Sequence, residues 1–375
     1  MVKTTNRTAI FFIRIITSTF VNCYTILTFY FKLMSINDLY ILGIESSCDD
    51  TSAAVIYNGK VLSNVVAGQK IHEAYGGVVP ELASRAHQQN IVPVVHQALK
   101  EANINKNLLS AIAFTNGPGL MGSLLVGGSF AKSMALSLSI PLIAVNHMQA
   151  HILAHFIDDK NQTVPPFPFI CLTISGGHTQ LVKVSDYFKF DILGETTDDA
   201  VGEAFDKTAK ILGLPYPGGP LIDKYAQLGN PNAFSFTKPK VGDLEFSFSG
   251  LKTGILYFIQ KKTKENPQFI EENLQDICAS VQRVIVEILF EKIHNAVKQT
   301  GITHIAIAGG VSANTEIRKT LKASEQLFGW TTYIPSFEYT TDNAAMIGIV
   351  GYLKYLQHSF SDQTIATQAR MSILE

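Results

Sequence analysis

Cysteine is scarce in this chain, and its spacing excludes two classes of protein. The 375 residues include four cysteines, at positions 23, 48, 171 and 278. No two of them lie close enough for a CxxC zinc site, and their long intervals do not make the framework of a small disulfide-rich domain. We therefore expect free thiols in a reducing compartment.

Charge is also scarce. Charged residues make up 16% of the chain, compared with about 25% in an average soluble protein. The formal net charge is -1 at pH 7, so the chain has no general electrostatic attraction for nucleic acid. Any contact with RNA then requires a local basic patch or a helper subunit. The length and the 46% hydrophobic content allow two domains, each with its own core.

The first 33 residues contain no acidic residue and lack a clear membrane span. Positions 15–31 are uncharged, a run shorter than the ~20 residues that cross a bilayer. The basic, hydroxyl-rich composition also suits an organelle transit peptide. In a third interpretation, translation starts at Met34, where the first convincing strand pattern follows. We exclude residues 1–33 from the fold and expect no stable membrane association.

Strand and turn patterns occur twice in the same order. The first set is YILGI, SAAVIY and KVLSNVV, with a hairpin signal at Asn58-Gly59. The second is PFICLTI, QLVKV and FDILGET. Each set precedes helices and strands in alternation, and the first of these helices has a pattern interrupted at Pro93. This order predicts an internal duplication, with two α/β domains that face each other across a cleft.

A glycine-rich stretch follows a strand and opens an apolar helix. It contains GxGxxG at Gly117, Gly119 and Gly122, but no acidic residue lies about 20 positions later to bind a ribose. The Lys-Ser/Thr pair of a phosphate-binding Walker A loop is absent as well. Two interpretations remain open for these glycines, namely anion binding at a helix N-terminus and close packing of strand against helix.

Two further strands end in Gly-Gly, within ISGGHT and IAGGVSAN, where a backbone can lie against a ligand. Between them, a segment around Asp206 and Lys207 combines several acidic residues with a Gly218-Gly219 bend. One interpretation is a solvated helix face, and the other is a set of groups that hold ribose hydroxyls and an amine.

Three histidines, His147, His151 and His155, follow each other at four-residue steps in a helical pattern, so they share one helix face. The protease motif HExxH requires a glutamate after the first histidine, where this chain has Met148. Two histidines with a carboxylate such as Asp342 would bind a metal with open coordination positions. Buried or exposed histidines without a metal are the alternative.

A series of long motifs, taken together, resembles one family, the universal tRNA threonylcarbamoyladenosine transferases of the bacterial TsaD type. The resemblance extends over residues 40–355. The motifs are GIESSCDDTSAAV, HEAYGGVVPELASRAH, TNGPGLMGSLLVG, NHMQAHILAH, TISGGHTQL, GEAFDKTAKILGLPYPGG, FSFSGLKT, IAGGVSAN and TTDNAAMIG.

The resemblance implies a duplicated actin-like ATPase fold, of the ASKHA and ribonuclease H-like class. It implies a first domain of residues 36–146 with about 345–375, and a second domain of residues 147–344. The implied reaction transfers the threonylcarbamoyl group of threonylcarbamoyl-AMP to N6 of adenosine 37, in tRNAs that read ANN codons, and releases AMP.

The resemblance also implies site residues. His147, His151 and Asp342 would hold one divalent metal ion, with Fe²⁺ favoured and Zn²⁺ as the alternative. The residues expected to bind the adenylate are Ile174, Ser175, Gly176, Gly177, His178, Asp206, Gly219, Asp223 and Asn314. The loop 45–50 would face the cleft, and we hypothesise that Asp49 or Asp50 accepts the proton of the adenine amine. Archaeal relatives use a Tyr near the SGG turn as a further ligand, and this chain has Leu172, Thr173 and Ile174 there.

The implied partners are tRNA and, in a bacterial setting, an inactive TsaB-like paralogue and a small TsaE-like ATPase. Mitochondrial relatives act alone as homodimers, so we expect a cytoplasmic protein, or a mitochondrial one if residues 1–33 are a transit peptide. The alternative functions are those of a kinase or chaperone-like ATPase of the same fold, and of a binding subunit without activity. Such subunits lack the histidine pair.

Overall fold

A computed structural model describes residues 38–375 of the chain. Its first sheet has five strands in the order β3-β2-β1-β4-β5. The strands are β1 Tyr40–Glu45, β2 Thr51–Tyr57, β3 Lys60–Ala67, β4 Ala111–Gly117 and β5 Leu142–Asn146. The predicted hairpin joins β2 to β3 through Asn58 and Gly59, which adopt the positive φ values that this tight turn requires.

The second sheet repeats this arrangement, with the strand order β10-β9-β6-β7-β8. Its strands are β6 Phe169–Ile174, β7 Thr179–Asp186, β8 Lys189–Glu195, β9 His304–Ala308 and β10 Thr331–Tyr333. In both sheets the first three strands are antiparallel and the last two are parallel to the first. The predicted duplication is confirmed.

Nine α-helices are present in residues 38–375. They are α1 Pro80–Glu101, α2 Met121–Leu138, α3 His147–Leu153, α4 Val201–Ile211, α5 Gly218–Ala226, α6 Ser249–Glu265, α7 Phe269–Thr300, α8 Thr315–Phe328 and α9 Ala344–Leu356. In chain order α3 ends the first repeat of the fold and α9 ends the second.

The predicted interruption at Pro93 was wrong, because α1 continues through this residue. Pro93 is exposed on the solvent side, whereas Ile91, Val94 and Val95 are buried. A proline removes one backbone hydrogen bond from a helix. On the exposed side water can satisfy the released carbonyl, and the buried residues hold the two helix segments in line.

One buried cluster joins the two sheets and includes residues of α3 and α9. It contains Val145 of the first sheet, Cys171 of the second, Met148 of α3 and Met346 of α9. Helix α9 lies against the first sheet so closely that a Cβ added to Gly43 would be 2.4 Å from the carbonyl oxygen of Ala344. The domain boundaries at residues 146 and 345 stay a prediction.

The last residues, 357–375, cross the first sheet, and we call this segment the strap. No helix in the described part of the chain is long and apolar enough to cross a membrane. The three interpretations of residues 1–33 concern a segment outside the described residues.

Candidate active site

The starts of α3 and α9 lie close together. His147 is the first residue of α3, directly after β5, and Asp342 lies two residues before the start of α9. Asparagine side chains cap both helices: Asn146 accepts from two backbone N–H groups of α3, and Asn343 accepts from Met346. The equivalent ends of the two repeats therefore bring the predicted metal ligands together.

Three ligand atoms converge at this point. His147 Nε2 and His151 Nε2 are 3.2 Å apart, and they lie 3.4 and 3.2 Å from Asp342 Oδ1. One ligand atom from each residue can be chosen so that all three lie within 4.8 Å of one another. Both histidines are buried, and about a quarter of the Asp342 side chain is exposed. The predicted triad is thus assembled in space.

A buried carboxylate supports the first histidine. His147 Nδ1 is 3.1 Å from Glu45 Oε2 and 3.2 Å from the hydroxyl of Ser47. Glu45 is fully buried, and it accepts further hydrogen bonds from the Ser47 backbone and from Thr115 Oγ1. A carboxylate on one imidazole nitrogen leaves the other nitrogen free for a metal, as in the carboxylate–histidine–metal arrangement of many metalloproteins.

The electrostatics of this cluster suit a cation. Burial disfavours the charged imidazole, but Asp342 and Glu45 overcome it and raise the pKa of His147 well above 6.5. Burial likewise acts against a charged Asp342, yet the two histidines hold the pKa of this carboxyl far below its ordinary range. For His151, burial lowers the pKa. Glu45 and Asp342 are two carboxylates, and a proton on His147 neutralises only one of them. The cluster therefore favours a further positive charge between them. This donor set fits a divalent metal ion.

The loop between β1 and β2 is held rigidly beside this triad. The carbonyl oxygen of Ser47 accepts a hydrogen bond from the N–H of Leu120. The carbonyl oxygen of Cys48 accepts from Ser123 Oγ and His87 Nε2. The opposite ring nitrogen of His87 is 2.8 Å from Thr51 Oγ1. The loop is therefore fixed at both of its ends.

The glycine-rich stretch packs against this loop. A Cβ added to Gly119 would lie 2.4 Å from the carbonyl oxygen of Ser47, and one added to Gly117 would lie 2.1 Å from that of Gln368. The N–H of Gly119 is also occupied, because it donates to Ala369. Of the two interpretations that the sequence left open, close packing agrees with these contacts.

Asp49 and Asp50 end the loop. Asp50 is half-buried, and burial, together with the charges of Asp49, Asp342 and Glu45, raises its pKa to about 7. A carboxyl with this pKa exists in both protonation states near neutral pH, as a general base or acid requires. Its role as a base stays a prediction.

The turn after β6 presents bare backbone. A Cβ added to Gly176 or Gly177 would meet no atom within 4 Å, and both residues are exposed. Ser175 Oγ closes the turn by accepting from the backbone of Gly177 and His178. Burial lowers the pKa of His178, and the nearby charges of His147 and His151 lower it further. Helix α3 packs against β6 and β9, so the turn at the end of β6 lies in the neighbourhood of the metal triad.

Two other glycines, which the sequence did not single out as ligands of the adenylate, pack against this turn. The start of α4 touches it, since a Cβ added to Gly202 would lie 2.6 Å from Ser175 O. A Cβ added to Gly309 would lie 2.4 Å from Ile174 O at the end of β6. The turns that follow β6 and β9 thus lie side by side.

Asp206, Gly219, Asp223 and Asn314 already have partners within the chain. Asp206 Oδ1 accepts from the backbone of Gly218 and Gly219, and burial raises its pKa. Asp223 Oδ2 accepts from Thr315, which leaves Oδ1 without a partner. Asn314 caps α8. These residues fix the starts of α5 and α8, and Oδ1 of Asp223 is a buried acceptor without a hydrogen-bond partner. Their contact with a nucleoside stays a prediction.

His155 lies apart from the triad. Its Nε2–H donates to the carbonyl oxygen of Ile307 at 2.9 Å, and burial lowers its pKa to about 4. It is a neutral core histidine, which is the alternative that sequence analysis considered for all three.

Sequence reasoning missed the importance of Glu45 and of an ion-pair group near α4. Glu45 was placed in a cleft-facing loop, but its partner His147 is 102 residues away. Lys207 pairs with Asp199 at 3.0 Å and with Glu203 at 2.7 Å, and Lys252 pairs with Asp199 at 3.2 Å. The motifs GEAFDKTAK and FSFSGLKT contain these two lysines and are the sequence signal from which this ion-pair group could have been predicted.

Comparison with known proteins agrees with this arrangement. Residues 60–349 match the TsaD family, described as tRNA N6-adenosine threonylcarbamoyltransferase. A protein of that name from Christiangramia forsetii is 68% identical over 337 residues, which cover 90% of this chain and 99% of the relative. Another, from Riemerella anatipestifer, is 62% identical over 333 residues, or 89% of this chain and 98% of the relative.

Solved structures show the fold. Full-length HypF, crystallised in a phosphate- and nucleotide-bound form, has a TM-score of 0.56 at 13% identity, over 86% of this chain and 47% of HypF. HypF of T. kodakarensis has a TM-score of 0.54 at 14% identity, over 88% and 49%. With the repeated sheets, this similarity confirms the predicted actin-like ATPase fold.

Proposed function

The chain belongs to the tRNA N6-adenosine threonylcarbamoyltransferase family, and on that premise we propose that it transfers the threonylcarbamoyl group of threonylcarbamoyl-AMP to N6 of adenosine 37. The acceptors are tRNAs that read ANN codons, and AMP is released. The observation that carries the proposal is the convergence of His147, His151 and Asp342 at helix α3, which packs against β6, the strand that ends at the open Gly176-Gly177 turn. A metal triad can stabilise charge on the phosphate of an adenylate, and a bare backbone surface lets the rest of the adenylate approach closely.

The triad is proposed to hold one divalent ion. Two histidines and one carboxylate with open positions are typical of Fe²⁺ sites, and Zn²⁺ accepts the same ligands. A divalent ion held by these three residues would supply Lewis-acid stabilisation of the negative charge on the phosphate of the leaving AMP. Glu45 orients His147 through Nδ1, so that Nε2 faces Asp342.

The adenylate is proposed to lie along the turns of the second sheet. Gly176 and Gly177 leave room for the adenylate to lie against the backbone of the turn. Ile174 and Ser175 form the base of this turn. Gly219 and the unpaired oxygen of Asp223 are the groups proposed to contact its nucleoside, together with Asn314 and Asp206.

In the transfer step, N6 of adenosine attacks the carbamoyl carbon, the carbon–oxygen bond to the phosphate breaks, and the amine loses a proton. Asp50 is proposed to accept that proton, since burial and neighbouring carboxylates raise its pKa to about 7. Asp49 is the second candidate. Because the adenylate is already activated, positioning and charge stabilisation are the main tasks of the protein.

The proposed partners follow from the family. They are tRNA, an inactive TsaB-like paralogue and a small TsaE-like ATPase, and the cytoplasm is the proposed location. A homodimer in a mitochondrion is the alternative. With a net charge of -1, a tRNA surface shared with partners is favoured over one on this chain alone.

The test uses preformed threonylcarbamoyl-AMP and an unmodified tRNA transcript, with Fe²⁺ or Zn²⁺ and with the two bacterial partners. We expect one modified nucleoside, identified by mass, for each AMP released. A transcript with guanosine at position 37 is the matched control and should remain unmodified. Absence of product under all these conditions would contradict the proposal, and ATP-dependent phosphorylation in a parallel reaction with added ATP would favour the kinase alternative.

A further inference from the structure

Hydrogen bonds attach the strap to the first sheet at several positions. The N–H of Ser361 donates to Leu142 O at 2.8 Å, and the N–H of Gln368 donates to Asn116 O at 2.8 Å. The N–H of Gly119 in turn donates to Ala369 O at 3.1 Å. This path leads the chain from α9 across β5 and β4 towards the start of α3.

The end of the strap contacts the metal-site helix through two buried amides. Asn146 Nδ2 donates to Ser372 O at 2.7 Å, and Gln149 Nε2 donates to Ile373 O at 2.8 Å. Gln149 Nε2 also lies 3.4 Å from Glu375 O. Both amides are almost fully buried, so few other partners can reach them. Ile373 is itself buried in the cluster that joins the two sheets.

These contacts lie behind the metal ligands. On an α-helix, positions 147 and 151 share a face, whereas position 149 points about 200° away from position 147. The two histidines therefore face Asp342, and Gln149 between them faces the strap. Asn146 has two roles, because its oxygen caps α3 while its nitrogen holds Ser372.

We propose that Ser372 and Ile373 of the strap are positioning residues for the metal site: their backbone carbonyls and the buried Ile373 side chain hold α3 so that His147 and His151 stay aligned with Asp342. This inference rests on the proposed metal site. The helix has only seven residues, so its orientation depends on what packs around it rather than on its own stability. Groups that orient metal ligands from behind typically change metal affinity by about 10- to 100-fold when they are removed.

Adjacent strap residues provide a matched pair of variants. Ile373 is 2% exposed and Leu374 is 58% exposed. We expect Ile373→Ala, and a chain that ends at Met371, to bind Zn²⁺ about 10-fold more weakly than the parent, as measured by competition with a chelating dye. Leu374→Ala should bind Zn²⁺ like the parent, and Ile373→Val should recover most of the affinity.

A second measurement separates positioning from general stabilisation. Ile373→Ala leaves a cavity in the buried cluster and should lower the unfolding temperature of the metal-free protein more than Leu374→Ala does. Zn²⁺ affinity is therefore measured well below both unfolding temperatures, where every variant is folded. Gln149→Met, which keeps the volume of the side chain and removes its donor, should weaken Zn²⁺ binding in the same direction. This variant tests the contact even if the truncated chain does not fold.

The possible results are distinct. Unchanged Zn²⁺ affinity in Ile373→Ala and Gln149→Met would overturn the positioning role and leave the metal site intact. Equal losses in Ile373→Ala and Leu374→Ala would overturn it as well. A parent protein that binds no divalent metal would contradict the metal site itself, and the role of the strap with it.

Discussion

The two repeats contain the same turn with opposite properties. In the first repeat the turn between β1 and β2 carries Glu45, Ser47 and Asp50, and the glycine-rich stretch packs tightly against it. In the second repeat the turn between β6 and β7 carries Gly176 and Gly177, which have open space around them. The duplication has preserved the strand order while the chemistry of the two turns has diverged.

This difference assigns the two turns separate roles. The first turn supplies fixed carboxylates, one of which holds His147. The second supplies exposed backbone that a nucleotide can approach. The metal triad lies where α3 and α9, the last helices of the two repeats, begin side by side.

Removal of a metal ligand should have the largest effect, because the triad joins the two repeats. We expect His151→Ala to lower the rate of transfer from preformed adenylate at least about 1000-fold, since a lost ligand abolishes both binding and charge stabilisation. Metal content and nucleoside analysis measure the two effects. His155→Gln, on the same segment, is the control and should retain its metal; loss of metal from both variants would contradict this account.

The carboxylates of the first turn come next. Asp50→Asn should reduce transfer roughly 100-fold, as expected for a lost general base. Because the pKa of Asp50 is raised to about 7, the carboxylate that accepts the proton forms as the pH rises. The parent rate should therefore increase through about pH 7, and the Asn variant should lose this dependence. If Asp49→Asn and Asp50→Asn both retained full transfer activity, the general base would not be a carboxylate of the first turn.

Alanine at one glycine of each turn region sharpens the contrast. Gly119→Ala should destabilise the fold by about 1–3 kcal/mol, because its Cβ would lie 2.4 Å from Ser47 O. Gly177→Ala should leave the unfolding temperature unchanged, since nothing lies near its Cβ, and should weaken AMP binding roughly tenfold by occupying the ligand surface, or about 1.4 kcal/mol. Chemical denaturation and calorimetric titration distinguish the two. If Gly119→Ala weakened AMP binding and Gly177→Ala lowered the stability, the ligand surface would lie at the first turn and the tightly packed region at the second.

His155 should have the smallest effect on activity. His155→Gln is expected to cost about 1–3 kcal/mol of stability through the lost bond to Ile307 O, with transfer unchanged. Burial lowers the pKa of His155 from 6.5 to about 4, so the unfolded chain binds the proton more readily. The stability contribution is complete above pH 6.5 and is lost as the pH falls towards 4. Denaturation midpoints at pH 7.5 and 5 measure this dependence, which the variant should lack.

Much of the fold could be predicted because its signals are local. The hairpin signal at Asn58-Gly59 and the repeated strand patterns predict the duplicated topology, and each of them lies within a short stretch of sequence. The prediction at Pro93 was wrong because the rule that proline interrupts a helix does not consider tertiary packing. The burial of Ile91 and Val94 keeps α1 continuous.

The site was less accessible to sequence reasoning for a physical reason. His147, His151 and Asp342 could be grouped through their motifs, yet the support from Glu45 depends on a contact across 102 residues. The glycine-rich stretch could have bound an anion or packed closely, and only the distance to Ser47 O distinguishes the two. The strap acts through backbone carbonyls, which any residue carries, so no sequence pattern marks it.

The most direct test of the account is anomalous diffraction from crystals of the protein grown with Zn²⁺. The account predicts one peak about 2.0–2.2 Å from His147 Nε2, His151 Nε2 and a carboxylate oxygen of Asp342, where the two repeats meet. A peak at another place, or none between these three residues, would contradict it.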